Sequence, residues 1–342
     1  METQQQRDYL IDNCKGLLMF LVVLGHGLEY LRKEYELAEM MYVFIYLFHM
    51  PVFVFISGYL SKNIEKGRNN AVKNLLVPFL FFNVIWNFLQ LASGWFTGVG
   101  KGVATIQLFS FFTPGWALWY LFSMFLWRLL LPDMLKIKNV LVVSVVIGLV
   151  ARMFTEFDVF MSLSRTLVFT PFFLAGYYTN KGTLQKLRAF GKIPSIVMTI
   201  LGVVVAIWFV TQSRIPVEFL WADRVYAEFE RSDLQSIVLA AFVYGISFAF
   251  VYVFINLIPQ TQTLLSKIGK NTMSVYLLHT YLISIVLAIS PLVPSHAMQL
   301  AIIVGSSVVV TLLLSRDKVA ARFGRFLNGL NRKIFVESKH NM

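Results

Sequence analysis

The chain is short of cysteine and of charged residues. Its 342 residues include a single cysteine, Cys14, which excludes an intramolecular disulfide and a metal site built from several cysteines. Only 14% of the residues are charged, whereas a soluble globular domain carries about 25%. Together with a hydrophobic content of 57%, this shortage excludes an ordinary soluble enzyme and predicts a membrane protein that crosses the bilayer several times.

Several signature motifs are also missing. The sequence contains no Walker loop, no GxGxxG element and no GxSxG element. It therefore gives no sign of a nucleotide-binding loop or of the nucleophile turn of a serine hydrolase. The five histidines show no close ligand spacing, and we therefore expect no metal. We find no convincing internal repeat, which weakens an interpretation as an inverted-repeat transporter without excluding it.

Apolar runs of suitable length for membrane helices recur along the whole chain. They predict an all-α integral membrane protein, a single bundle of about ten transmembrane helices with cytoplasmic N and C termini. We expect a multi-pass protein of the cell membrane, with a transmembrane domain at 1–315 and a basic amphipathic cytoplasmic tail at 316–342. The predicted spans are 14–31, 42–60, 74–93, 115–131, 139–154, 166–180, 194–212, 235–257, 272–290 and 297–314.

The distribution of basic residues supports this topology. The net charge of +12 could indicate nucleic-acid binding, but most of the 30 lysines and arginines fall in predicted inner loops and the tail. That pattern follows the positive-inside rule, and we expect a lipid bilayer and no nucleic acid among the partners. The tail places apolar residues at helical spacing between basic ones, which is typical of an interfacial helix on an anionic leaflet.

His26 is the first candidate for chemistry. It is the penultimate residue of the stretch RDYLIDNCKGLLMFLVVLGHG (7–27), and a polar group inside the hydrocarbon usually faces a bundle interior or a wet cavity. From Lys15, near the inner surface, a helix rises roughly 16 Å to His26, which is about mid-depth. The alternative is an imidazole that reaches the outer interface or caps a neighbouring helix.

Other polar residues interrupt the later spans. His49, in FHMPVFVFISGYL, lies at a predicted depth similar to that of His26, although a purely structural hydrogen bond is an equal alternative. His279 enters from the inner side and could line the same site or pack between helices. Arg165 and Trp119 fall near the outer interface, where they could hold a sugar hydroxyl and stack on a sugar ring, or simply form the aromatic belt.

The loop after the second span concentrates positive charge. Lys62, Lys66, Arg68 and Lys73 form a compact basic cluster on the predicted cytoplasmic side. Such a cluster suits phosphate binding, since ammonium and guanidinium groups pair with phosphate oxygens. On charge alone, ordinary topological anchoring is the commoner explanation.

With these residues in view, the chain resembles the membrane acyltransferase type 3 family, close to its fucose 4-O-acetylase-like branch. The matching pieces run in order over about residues 7 to 290. They are RDYLIDNCKGLLMFLVVLGH (7–26), FHMPVFVFISGYL (48–60), VKNLLVPFL (72–80), LWYL (118–121), RTLVFTPFFLAGYY (165–178) and IGKNTMSVYLLH (268–279).

The resemblance implies ten membrane helices and transfer of an acyl group, usually acetyl from cytoplasmic acetyl-CoA, to a hydroxyl of a surface glycan or lipid-linked sugar. His26 matches the family's catalytic histidine in the first helix. Arg7 and Asp12 match the charged positions before it. Lys73, with Arg68 nearby, falls at the basic motif associated with the acyl donor, where the family often has paired arginines.

The resulting hypothesis assigns His26 as general base, acyl-CoA as co-substrate bound through Arg7, Arg68 and Lys73, and a glycan or lipid-linked sugar as acceptor. An acyl-imidazole intermediate is the chemical variant. Asp12 would orient Arg7 or Lys15. The alternatives from other classes are a transporter or flippase for a polar lipid-linked saccharide, and a structural subunit among glycan-assembly partners.

Overall fold

The structure is a computed structural model that describes residues 8–97, 113–154, 160–213 and 215–336. Within these ranges the chain is helical, with turns between the helices and no β-strand. In chain order the helices are α1 (Tyr9–Leu28), α2 (Glu36–Tyr46), α3 (His49–Tyr59), α4 (Ile64–Asn69), α5 (Val77–Thr97), α6 (Trp119–Met134), α7 (Val140–Val150), α8 (Leu163–Tyr178), α9 (Lys181–Ala189), α10 (Ile193–Thr211), α11 (Asp233–Leu257), α12 (Leu264–Lys270), α13 (Thr272–Ile289), α14 (His296–Leu314) and α15 (Asp317–Ile334).

Among the described residues, seven helical segments are long and apolar enough to cross a membrane, which confirms a multi-pass architecture. The segments are Tyr9–Leu28, Glu36–Tyr59, Val72–Gln90, Ile193–Thr211, Asp233–Leu257, Thr272–Leu292 and His296–Leu314. The other three predicted spans correspond to α6, α7 and α8, of 16, 11 and 16 residues. A helix of 16 residues reaches about 24 Å, less than the hydrocarbon thickness of about 30 Å. The count of ten spans and the orientation of the termini therefore stay predictions.

The chain divides into two compact units, each assembled from segments far apart in sequence. The first unit comprises Met1–Leu60, Phe172–Leu220 and Val238–Arg325. The second comprises Ser61–Pro171, Trp221–Ile237 and Phe326–Met342.

Helix α1 is largely enclosed by other helices of the first unit. It packs along α12 and also contacts α3, α13 and α14. Its side chains Leu18, Val23 and Leu28 are fully buried. Helix α10, by contrast, exposes apolar side chains such as Ile200 and Val204, as expected of a helix that faces lipid. The helix that carries His26 is thus held by protein on most of its surface.

The contact between α1 and α12 depends on two glycines. A Cβ added at Gly16 would lie 2.0 Å from the carbonyl oxygen of Leu265, and one at Gly269 would lie 1.8 Å from that of Asp12. The absence of side chains lets the two backbones touch, the usual means of close helix packing in membranes. Helices α3 and α8 make a second reciprocal contact of this kind at Gly58 and Gly176.

Polar side chains bind the N-terminal end of α1 to the segment before α12. The Asn13 amide donates to the carbonyl oxygens of Pro259 (2.9 Å) and Thr261 (2.8 Å) and accepts from the Thr263 hydroxyl (2.6 Å). Asn13 is fully buried, so these bonds satisfy a side chain that would otherwise be costly to enclose. These bonds fix the position of α1 along its own axis relative to α12.

The second unit is organised around buried polar contacts of α6 with α8. The Trp127 indole donates to the Thr166 carbonyl (3.2 Å) and to the Thr170 hydroxyl (3.0 Å), and Ser123 hydrogen-bonds Thr166 at 2.7 Å. A single π-helical turn, Val72–Leu76, precedes α5. The predicted tail helix is present as α15, and its Asn331 amide donates to the Lys73 carbonyl at 3.2 Å.

Candidate active site

His26 lies in the last turn of α1, between two glycines that bring neighbouring side chains close. A Cβ at Gly25 would lie 3.1 Å from the Tyr46 ring, and a Cβ at Gly27 would lie 2.9 Å from the Ile303 side chain. Both distances are too short for an ordinary contact. The Gly-His-Gly sequence therefore allows α2 and α14 to approach the helix on either side of the imidazole.

The His26 side chain is partly exposed, at 14%, and lies beside a carboxylate. Its Nδ1 is 3.7 Å from Oε2 of Glu29, one turn further along the chain. A carboxylate on the Nδ1 side of an imidazole favours the tautomer that leaves the Nε2 lone pair available, and it stabilises the imidazolium. At 3.7 Å the contact is longer than a hydrogen bond, so the carboxylate is placed to act on the ring through its charge.

His279, on α13, is the imidazole that the structure brings next to His26. The two ring centroids are 5.3 Å apart with an angle of 38° between the planes. His279 is fully buried, and its Nδ1 lies 2.8 Å from the Tyr276 carbonyl oxygen and 3.0 Å from that of Val275. Both contacts run back along its own helix, so Nε2 points away from them.

His49, the first residue of α3, is also buried, at 5% exposure. Its Nδ1 contacts the Ile45 carbonyl oxygen at 2.9 Å across the break between α2 and α3. The Tyr46 ring packs edge-on against the imidazole, with centroids 4.6 Å apart, and Tyr46 is also the ring that meets Gly25. Tyr46 therefore connects His49 with the segment of α1 that carries His26.

The charged residues expected before His26 are placed only in part. Asp12 is buried in the first turn of α1, and its Oδ1 is 3.2 Å from the Lys15 ammonium. Lys15 is thus the basic neighbour that Asp12 contacts. Arg7 lies outside the described residues.

The basic cluster after the second predicted span belongs to the second unit, whereas the three imidazoles belong to the first. Arg68 lies in the last turn of α4. Partial burial lowers the pKa of the Lys62 ammonium from its ordinary value. Lys73 lies on the π-helical turn, with its ammonium 5.1 Å from the centre of the Phe335 ring. A π-helical turn is uncommon and often occurs at functional sites.

Arg165 and Trp119 are neighbours in the second unit. The Arg165 guanidinium pairs with Asp223 at 2.5 Å, donates to the Trp221 carbonyl at 3.0 Å, and lies 5.2 Å from the centre of the Trp119 ring. Trp119 is 8% exposed and stacks on Phe169 with centroids 5.2 Å apart. The two residues expected to contact a sugar are thus engaged with other protein groups.

Glu29 and Asp223 are polar partners that sequence reasoning missed. Glu29 had a usable signal, since an acidic residue three positions after His26 falls on the same helix face. Asp223 had none, because its partner Arg165 is 58 residues away in the chain.

In the described part of the chain, no group of three or more metal-ligating side chains occurs.

A family model described as an acyltransferase domain matches residues 8–316, which is well over half of the chain. The chain belongs to the acyltransferase 3 family. The resemblance seen in the motifs is thereby confirmed. Within this family match lie all of the predicted site residues except Arg7, which precedes it by one position.

Two nodulation proteins named NolL are similar to parts of the chain. The protein from Mesorhizobium japonicum is 40% identical over 90 residues, which are 23% of this chain and 24% of that protein. The one from Sinorhizobium fredii is 32% identical over 130 residues, 35% of each chain. The chain thus covers about a quarter to a third of these relatives. No solved structure matches it.

Proposed function

We propose that the protein is a membrane O-acyltransferase that moves an acyl group, acetyl in the usual case, from cytoplasmic acyl-CoA to a hydroxyl of a cell-surface glycan or lipid-linked sugar. The observation that carries the proposal is the environment of His26 in a member of this family. A partly exposed imidazole lies in a membrane-type helix with a carboxylate 3.7 Å from its Nδ1. That arrangement suits general base catalysis.

In the proposed reaction, His26 Nε2 takes the proton of the acceptor hydroxyl as the oxygen attacks the thioester carbonyl carbon. The new carbon–oxygen bond forms, the carbon–sulfur bond breaks, and the thiolate of coenzyme A leaves. The imidazolium then returns its proton to that thiolate. Glu29, rather than the more distant Asp12, would hold Nδ1–H and stabilise the imidazolium while it carries the extra proton.

For the donor, we propose that the phosphates of acyl-CoA bind to the basic cluster of Lys62, Lys66, Arg68 and Lys73, with Arg7 contributing from the start of the chain. Phosphate groups are held well by several cationic side chains together, and no bound metal is required. The predicted topology supports this, because it places the cluster on the cytoplasmic side, where acyl-CoA is found.

For the acceptor, we propose that the hydroxyl reaches the imidazoles of His26, His49 and His279. Arg165 and Trp119 have little exposed area. Their proposed role on the acceptor side is therefore to hold the second unit in shape and not to contact the sugar directly. The expected topology remains ten spans in the cell membrane, with both termini in the cytoplasm.

The rival in another class is a transporter or flippase that passes a lipid-linked saccharide without making a bond. Membranes that contain the protein, incubated with radiolabelled acetyl-CoA, separate the two functions. An acyltransferase deposits label in a glycan or lipid-linked sugar fraction, and matched membranes without the protein do not. Translocation of saccharide with no label in either fraction would support the transporter and contradict the proposal.

A further inference from the structure

The tautomer of His279 follows from its surroundings. Its Nδ1 lies 2.8 Å and 3.0 Å from two backbone carbonyl oxygens, which can only accept hydrogen bonds, so Nδ1 carries the proton. Nε2 of the neutral ring is then a bare lone pair. It is buried and has no hydrogen-bond partner among the described residues.

An acceptor without a partner in a fully buried side chain is uncommon and calls for an explanation, since burying an unsatisfied polar atom destabilises the folded state. The Nδ1 of His49 makes the same kind of contact, 2.9 Å from the carbonyl oxygen four residues earlier. The Nδ1 contact therefore does not by itself distinguish His279. What sets His279 apart is the free Nε2 together with the ring of His26, 5.3 Å away.

We propose that His279 positions the acceptor by taking a hydrogen bond at Nε2 from a second hydroxyl, next to the one that His26 deprotonates. The inference rests on the proposed function of His26. A hydroxyl has one proton to donate, and at the reacting hydroxyl that proton goes to His26. A second imidazole lone pair beside it therefore requires a second O–H group, so the acceptor class is a sugar with a vicinal diol.

Two substitutions separate this role from helix packing. The amide of His279→Asn reaches the Nδ1 position, where its NH₂ group keeps the backbone contact, but it places no acceptor at Nε2. The longer His279→Gln places an amide oxygen at the Nε2 position and gives up the Nδ1–H bond. A hydroxyl-binding role favours the Gln variant, and a packing role favours the Asn variant.

The probes are methyl glycosides with a vicinal diol and the analogues in which one of the two hydroxyls is replaced by hydrogen. With the best diol of the panel, we expect the parent enzyme to prefer the diol over its deoxy analogue by about tenfold in kcat/KM, because a lost buried hydrogen bond costs that much. His279→Asn should raise the KM for the diol about tenfold, leave the KM for acetyl-CoA unchanged, and abolish the preference. His279→Gln should stay within about threefold of the parent.

The proposal is overturned if the Gln variant is weaker than the Asn variant, if the Asn variant keeps the preference, or if no diol of the panel is acylated. His296→Asn, at the start of α14, serves as control and should match the parent. If neither His279 variant folds, the diol preference of the parent enzyme decides, and its absence refutes the contact. A different outcome is that His279→Asn loses the preference for the diol while His26→Ala stays active. That result would refute His26 as the base and leave the acceptor contact of His279 intact.

Discussion

The substitution Gly16→Ala tests whether the glycine contact between α1 and α12 fixes the helix that carries His26. The added Cβ would lie 2.0 Å from the Leu265 carbonyl oxygen, and the next two contacts, at 2.8 Å and 3.0 Å, are also backbone atoms. Because no flexible side chain can turn aside, the helices must separate by about 1.4 Å to restore ordinary van der Waals distance.

The magnitude follows from that separation. A gap of 0.5–1 Å already forfeits a quarter to a half of the dispersion energy of the atoms that face it. We therefore place Gly16→Ala near the upper end of the usual cost of overpacking, about 3 kcal/mol. At about 2.1 cal/mol/K of unfolding entropy per residue, a chain of 342 residues should then show a fall in Tm of about 4 °C.

The assay is thermal unfolding of the purified protein in detergent or nanodiscs. Gly305→Ala in α14 is the matched control, because a Cβ there meets nothing within 4 Å, and its higher helix propensity should stabilise by up to about 1 kcal/mol. Equal Tm values for the two variants would refute the inference that α1 and α12 are in backbone contact.

Two further predictions concern the reaction itself. Glu29→Gln should lower kcat about tenfold to a hundredfold with both KM values unchanged, because the amide cannot stabilise the imidazolium 3.7 Å away; Glu36→Gln is the control, and a kcat equal to that of the parent would exclude the orienting role. Replacing Arg68 and Lys73 together by glutamine should raise the KM for acyl-CoA at least tenfold and leave the KM for the acceptor unchanged; equal increases for both substrates would point to a defect in folding or insertion.

Much of the fold could be predicted from the sequence because membrane helices have a strong local signal. The long apolar runs coincide with helices, although the run 42–60 is divided between α2 and α3. A lone imidazole in such a run is conspicuous, as His26 shows. For the predicted spans 115–131, 139–154 and 166–180, the sequence was a weaker guide to the length of the helix. There the helices are shorter, and α6 and α8 each contain a proline, Pro132 and Pro171.

The composition of the site was harder to predict because it depends on which helices are neighbours. Depth along each helix suggested a pairing of His26 with His49, but depth carries no information on helix order or rotation. In the structure the nearest imidazole contact of His26 is with His279, more than 250 residues away in the chain, because α1 packs against α12 and α13. Side-chain pairs such as Arg165 with Asp223 are likewise set by tertiary structure.

The central claim is that His26 removes the proton of the acceptor hydroxyl, and the turnover of His26→Gln tests it most directly. Purified parent and variant should be compared with radiolabelled acetyl-CoA and acceptor at saturating concentrations, after their Tm values have been shown to agree. General base catalysis contributes about a hundredfold to ten-thousandfold, so kcat should fall at least a hundredfold. Transfer by the variant at the rate of the parent would contradict the account.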